Sequence, residues 1–95
     1  MSDILNEAIE GLTERLAGKN LGGTVRFDIK NEGSIYVDGD NIRIAEDDAD
    51  CTLGASGKNF RKLLDGKLNP TLAVMSGKLS IGGDMTIAVK LAANL

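Results

Sequence analysis

The chain has 95 residues, a net charge of −3 and a pI near 4.8, with 42% hydrophobic and 26% charged residues. That length suits one domain around a single core, so residues 1–95 read as one unit. The acidic balance argues against nucleic acid as a partner, because duplex binding needs a basic face to release counterions. The absence of histidine excludes imidazole base catalysis and histidine metal ligation.

Residues 3–18 carry Ile4, Leu5, Ala8, Ile9, Leu12 and Leu16 at helical spacing, with Glu7, Glu10 and Glu14 on the other face. The pattern predicts an amphipathic helix capped by Ser2 or Asp3 and closed by Gly18. The period then changes from about 3.6 to about 2. Val25, Phe27 and Ile29 alternate with Thr24, Arg26, Asp28 and Lys30, a half-buried strand. Turns at Asn31-Glu32-Gly33 and Asp38-Gly39-Asp40-Asn41 separate it from strands carrying Ile35 and Val37, then Ile42 and Ile44. Short links of this kind predict an antiparallel meander.

Beyond the acidic turn Glu46-Asp47-Asp48, residues 50–55 predict a fourth strand with Cys51, Leu53 and Ala55 on one face. Ser56 caps a short helix bearing Phe60, Leu63 and Leu64, which Gly66 stops. Asn69-Pro70 starts another, bearing Leu72, Val74 and Met75 and ending at Gly77. Residues 78–81 predict a fifth strand, after which Gly82-Gly83 release the chain into a helix capped by Asp84 and running to the C-terminus. On a helical wheel Thr86, Lys90 and Asn94 fill one narrow stripe of this last helix. Met85, Ile87, Ala88, Val89, Leu91, Ala92 and Leu95 cover an arc of about 200°, wider than a surface helix needs. One reading packs the two flanks on a sheet and on a neighbouring helix. The other has Met85 and Val89 lining a cavity, with Ala88 and Ala92 leaving room.

No apolar run is long enough to span a bilayer, and Met1-Ser2-Asp3 lacks the layout of a signal peptide. A single cysteine excludes an internal disulfide and suits a reducing compartment, so a cytoplasmic protein is expected. Cys51, on an apolar strand face with no histidine partner, reads as a small buried thiol. Gly54–Asn59 lacks the spacing of a phosphate loop, and Asp38, Asp40, Asp47, Asp48 and Asp50 do not match a calcium-binding loop. Lys58, Arg61, Lys62 and Lys67 form the basic cluster, read either as a solvated helix face or as a docking point for a phosphate headgroup or membrane surface.

The run Leu63-Leu64-Asp65-Gly66-Lys67-Leu68-Asn69-Pro70, then 73–81 (Ala-Val-Met-Ser-Gly-Lys-Leu-Ser-Ile) and Gly83-Asp84-Met85, resembles the signature region of the sterol carrier protein (sterol-binding, lipid-transfer) family. The likeness extends over nearly the whole chain and suggests a compact bacterial stand-alone member. It implies an α+β fold in which a five-stranded, largely antiparallel sheet is covered on one face by helices, with an apolar cavity between them. Position by position it implies a lipid site lined by Phe60, Leu64, Leu68, Leu72, Val74, Met75, Leu79, Ile81, Met85 and Val89. Val74 departs from the phenylalanine many members carry there, which alters the pocket's shape. The terminal Ala92-Ala93-Asn94-Leu95 is not a peroxisomal address.

The expected function is non-enzymatic carriage or transfer of a long-chain lipid (fatty acid, fatty acyl thioester, phospholipid or sterol-like) without cofactor or metal. Access requires a short helix between 56 and 76 to move. The chain is expected to be a monomer or weak dimer making transient membrane-surface contact. One rival is an interaction module with a collapsed cavity, serving an oligomer or docking to an enzyme. The other is an enzyme using carboxylates such as Asp47 and Asp50, for which the sequence offers no paired base.

Overall fold

The computed structural model describes residues 3–94. Helix α1 (Asp3–Leu16) is followed by strands β1 (Val25–Lys30), β2 (Gly33–Asp38), β3 (Asn41–Ile44) and β4 (Cys51–Ser56). Helices α2 (Gly57–Leu64) and α3 (Pro70–Met75), strand β5 (Ser80–Gly83) and helix α4 (Met85–Ala92) complete the chain. The strands form one sheet in the order β3-β2-β1-β4-β5. All neighbours are antiparallel except β1 and β4, which pair in parallel from Val25↔Cys51 to Lys30↔Ser56.

These registers place apolar residues in continuous rows. Phe27 lies between Ile35 of β2 and Leu53 of β4, and Val25 between Val37 and Cys51. All six are buried. The helices cover this face: α1 lies over β2 and β3, α2 over β1 and β4, and α4 over β4 and β5. Ala8 and Leu12 of α1 are fully buried, and Phe60 of α2 meets Phe27 edge-on, with ring centroids 5.4 Å apart. The opposite face carries polar residues. Arg26 Nε donates to Asp28 Oδ1 at 3.0 Å, and Ser34 Oγ donates to the same oxygen at 2.7 Å. The Arg43 guanidinium sits 4.9 Å from the Tyr36 ring centroid.

The three later helices start where their caps require. Ser56 Oγ accepts from the Asn59 N–H, Asn69 Oδ1 from those of Thr71 and Leu72, and Asp84 Oδ1 from that of Thr86. Pro70 occupies the first turn of α3, where no donor is lost. The expected cap at Ser2 lies outside the described residues, as does Leu95.

Several features differ from the sequence expectation, among them the end of α4, which stops at Ala92 instead of running to the C-terminus. Helix α1 ends at Leu16 rather than at residue 18, because Gly18 turns the backbone to φ +71° and the Lys19 N–H donates to the Leu16 carbonyl. Strand β5 spans Ser80–Gly83 instead of 78–81. Lys78 and Leu79 close α3 by donating to the Ala73 carbonyl, while Gly82 and Gly83 pair with Thr52 and Cys51. Ile44, expected inward, is 54% exposed because β3 is an edge strand with a neighbour on one side only.

Gly83 fixes the join of β5 to α4. Its φ is +86°, and a Cβ there would collide with the Asp50 carbonyl, which accepts from the Asp84 N–H at 2.8 Å. Gly83→Ala should therefore destabilise the fold by about 2 kcal/mol or more in urea unfolding. Gly39→Ala, also at positive φ (+60°) but with open space around it, should cost only about 1 kcal/mol. Equal losses in the two variants would refute the steric argument.

Candidate functional site

An open-sided apolar groove of about 230 Å³ lies between α3, α4 and the β4–β5 edge of the sheet. Its base is formed by Leu53 and Ile81, which face each other across β4 and β5, together with the buried Leu79. Helix α4 contributes Met85, Ala88, Val89 and Ala92, spaced to share one helical face. Helix α3 contributes Pro70, Thr71, Val74 and Met75. Thr71 is the sole residue of this lining with a polar side chain.

Six of the residues named by resemblance come together here: Val74, Met75, Leu79, Ile81, Met85 and Val89. The other four lie outside the groove lining. Phe60 and Leu64 are buried in the main core, Leu68 packs half-buried against that core, and Leu72 is 61% exposed. Leu53, Pro70 and Thr71 line the groove without having been singled out. The signal for Leu53 was its alternation with Cys51, but its partner Ile81 becomes visible only with the β4–β5 register.

The wide apolar arc of α4 divides between two tasks. Ile87, Ala88 and Leu91 are buried, and Ile87 packs so closely on Gly23 that a Cβ there would meet its Cδ1 atom. Met85 and Val89, 57% and 67% exposed, turn to the groove instead. One flank of α4 thus packs on the sheet, and the other borders the groove rather than a neighbouring helix. Helix α3 is tied down through a single buried residue, Ala73, between Gly66 (φ +74°) and Gly77 (φ +77°).

Larger hollows exist, but each has a more polar lining than the groove. One of about 770 Å³ is lined by Lys30, Lys58, Arg61, Lys62 and Lys67 together with Glu32 and Asp65. Beside it Arg61 Nε donates to Glu7 Oε2 at 2.7 Å, tying α2 to α1, and this bond holds the guanidinium pKa above its ordinary value. Among the described residues no group of three or more Cys, Asp or Glu side chains is placed to hold a metal ion. No helix among them is long and apolar enough to cross a membrane. Asp50 has a structural role: its Oδ2 accepts from the backbone N–H and hydroxyl of Thr24, whose Oγ1 accepts the Asp50 N–H in return.

The sequence profile of the SCP-2 sterol transfer family matches residues 5–95. Hydroxysteroid dehydrogenase-like protein 2 from Bos taurus is 39% identical over 94 residues, covering 96% of this chain and 21% of its own length. The chain thus spans about a fifth of that relative. Among solved structures, Sterol Carrier Protein 2 Like 2 from Aedes aegypti superimposes with a TM-score of 0.79 at 19% identity, covering 97% of this chain and 96% of its own. Sterol Carrier Protein-2 from the same organism, in complex with the C16 fatty acid palmitate, gives 0.79 at 19% identity, covering 98% and 94%.

Cys51, directly below the start of α4, is fully buried, and burial raises its pKa above the ordinary value of 9.0, with a smaller contribution from the Asp84 charge. The folded state therefore holds the thiol proton more tightly than the unfolded state does. Its stability contribution is complete below pH 9 and is lost as the pH rises through the folded pKa. In urea titrations between about pH 8 and about pH 10.5, the wild type should lose stability relative to Cys51→Ala. Parallel pH profiles would show that the thiol does not titrate differently on folding.

Proposed function

This chain belongs to the SCP-2 sterol transfer family, and we propose that it binds and carries a long-chain acyl lipid non-covalently, with the tail in the α3–α4 groove. The observation that carries this reading is chemical: the groove is lined by aliphatic, alanine, proline and methionine side chains, with Thr71 as the polar exception. Unbranched methionines and small alanines suit alkyl chains of variable length. The palmitate-bound mosquito protein shares this fold, which supports a fatty acyl tail as the occupant.

Burial of alkyl surface drives binding. Each methylene contributes about 0.8 kcal/mol, so a sixteen-carbon tail gains ~12 kcal/mol before costs. Loss of translational freedom and ordering of the chain offset much of that, leaving an affinity of about micromolar. Entry of the tail is helped by movement of α3, which its glycine-bounded ends and single buried anchor, Ala73, favour. The charged headgroup stays in solvent, since the lining offers it no charged partner. No step of this function makes or breaks a covalent bond.

A second reading has a specific observation behind it. The chain matches only part of a longer dehydrogenase-like relative, so the groove's exposed apolar rim fits presentation of a lipid to an enzyme. Both readings need the groove filled.

Met85→Glu and Val89→Glu, at exposed groove positions, should fold with unchanged melting temperature. Each should weaken a fluorescent C16 fatty acid by on the order of tenfold or more, since a carboxylate must stay hydrated where the tail would lie. Titration of wild type and both variants measures this, and undiminished binding in both would refute the groove assignment. Palmitate at about a hundred times its Kd should also stabilise the wild type by about 2.7 kcal/mol in thermal unfolding. A melting curve indifferent to palmitate would argue for the collapsed interaction module.

A further inference from the structure

Charge and exposed apolar surface are distributed unevenly in this molecule, and the two asymmetries coincide. Residues 57–83 carry five cations (Lys58, Arg61, Lys62, Lys67, Lys78) and one acid (Asp65), a net charge of +4. The rest of the chain carries six cations and thirteen acids, a net charge of −7. From Gly66 to Gly83 there is no acidic residue at all. Lys67 and Lys78 are both exposed, and neither forms an ion pair among the described residues.

Among the described residues, the large apolar side chains that remain exposed are Ile44, Leu72, Val74, Met75, Met85 and Val89. All but Ile44 belong to α3 and α4. Three stand on α3, a helix about 9 Å long bracketed by Lys67 and Lys78. Val74 and Met75 rim the groove, whereas Leu72 is 61% exposed and does not line it. Most of the Leu72 side chain thus stands in water beside the groove, contributing little to packing. Lys67 also lines a hollow with Lys30, Lys58, Arg61 and Lys62, where Glu32 and Asp65 are the acids, and Lys78 lines the next with Lys30, Asp28, Glu32 and Glu46.

We infer that α3 and its flanking lysines form a docking surface for an anionic phospholipid bilayer, with Leu72 and Met75 entering the interface and Lys67 and Lys78 lying at the headgroups. An apolar centre with a cationic border is the composition that interfacial binding selects. Helix α1 offers no such surface, because its exposed charges are Glu7, Glu10 and Glu14. Docking by α3 brings the groove mouth to the membrane, so an acyl chain can pass between bilayer and protein without crossing water. This step rests on the proposed lipid-carrying function, but it is separately testable.

The test uses the full chain and vesicles of phosphatidylcholine alone or with about 30% phosphatidylglycerol, read by co-sedimentation. The wild type should partition onto the anionic vesicles at least about tenfold more strongly, and the advantage should collapse between about 50 mM and about 300 mM salt. Each lysine near the surface is worth about fivefold, so Lys67→Glu/Lys78→Glu should lower partitioning on the order of 25-fold or more. The same double variant should bind fluorescent C16 fatty acid in vesicle-free solution like the wild type. Leu72→Asp should also lose vesicle binding while keeping the wild-type melting temperature. The inference is overturned if the wild type ignores anionic vesicles, or if both variants partition like the wild type. It is equally overturned if sedimentation equilibrium finds a dimer that Leu72→Asp dissolves, since the surface would then serve a second copy of this chain. Loss of fatty-acid binding in the vesicle-free control would count against the groove, so the two ideas fail separately.

Discussion

The parallel pairing of β1 with β4 is the constraint from which the rest of the molecule follows. Matching Val25 to Cys51, Phe27 to Leu53 and Ile29 to Ala55 sets two apolar rows side by side in the middle of the sheet. Parallel neighbours need a long connection, and here β2, β3 and an acidic loop supply it. The meander therefore grows outward from one side of β1, and β5 is added on the far side of β4. One face of a five-stranded sheet is left to be roofed by helices. The cross-pair of Thr24 with Asp50 clamps the two central strands where they begin.

Roofing is unequal because the helices are unequal. Helix α1 has fourteen residues and α2 meets Phe27 with an aromatic ring, so the half of the face over β1, β2 and β3 is filled. The other half is covered by α4, of eight residues, and α3, of six. Neither brings an aromatic side chain, and the three aromatics of the chain (Phe27, Tyr36, Phe60) all lie elsewhere. Alanine at 88 and 92 and a short α3 leave space that Leu53, Leu79 and Ile81 underlie. The groove is the place where the supply of bulky side chains runs out.

Much of this was legible in the residues. Alternation at 25–29 and 35–37, the helical spacing of 4–16, and the caps at Ser56, Asn69 and Asp84 lead directly to the elements observed. Short-range features of this kind depend on neighbours in the chain, which a sequence displays. The limits of β5 were not legible, because Gly82 and Gly83 read as breakers until Thr52 and Cys51 are seen to pair with them. For the site, Met85 and Val89 were visible as surplus on an over-wide apolar arc. Leu72 and Val74, two residues apart, point about 200° apart on one short helix, and only the tilt of α3 on the sheet decides which of them meets the groove. Periodicity cannot supply that tilt over six residues.

The sheet itself ends in two short edges, β3 and β5, of four residues each. A row of unpaired backbone donors and acceptors invites another chain to add a strand, and an exposed apolar groove nearby would normally compound the hazard. Here one edge strand is half glycine, which presents little side-chain surface to a stacking partner, and the other projects Arg43 with the acidic Glu46-Asp47-Asp48 turn close behind. Brevity and charge at the rims let the molecule leave apolar surface uncovered in one place without inviting fibrous polymerisation through its backbone.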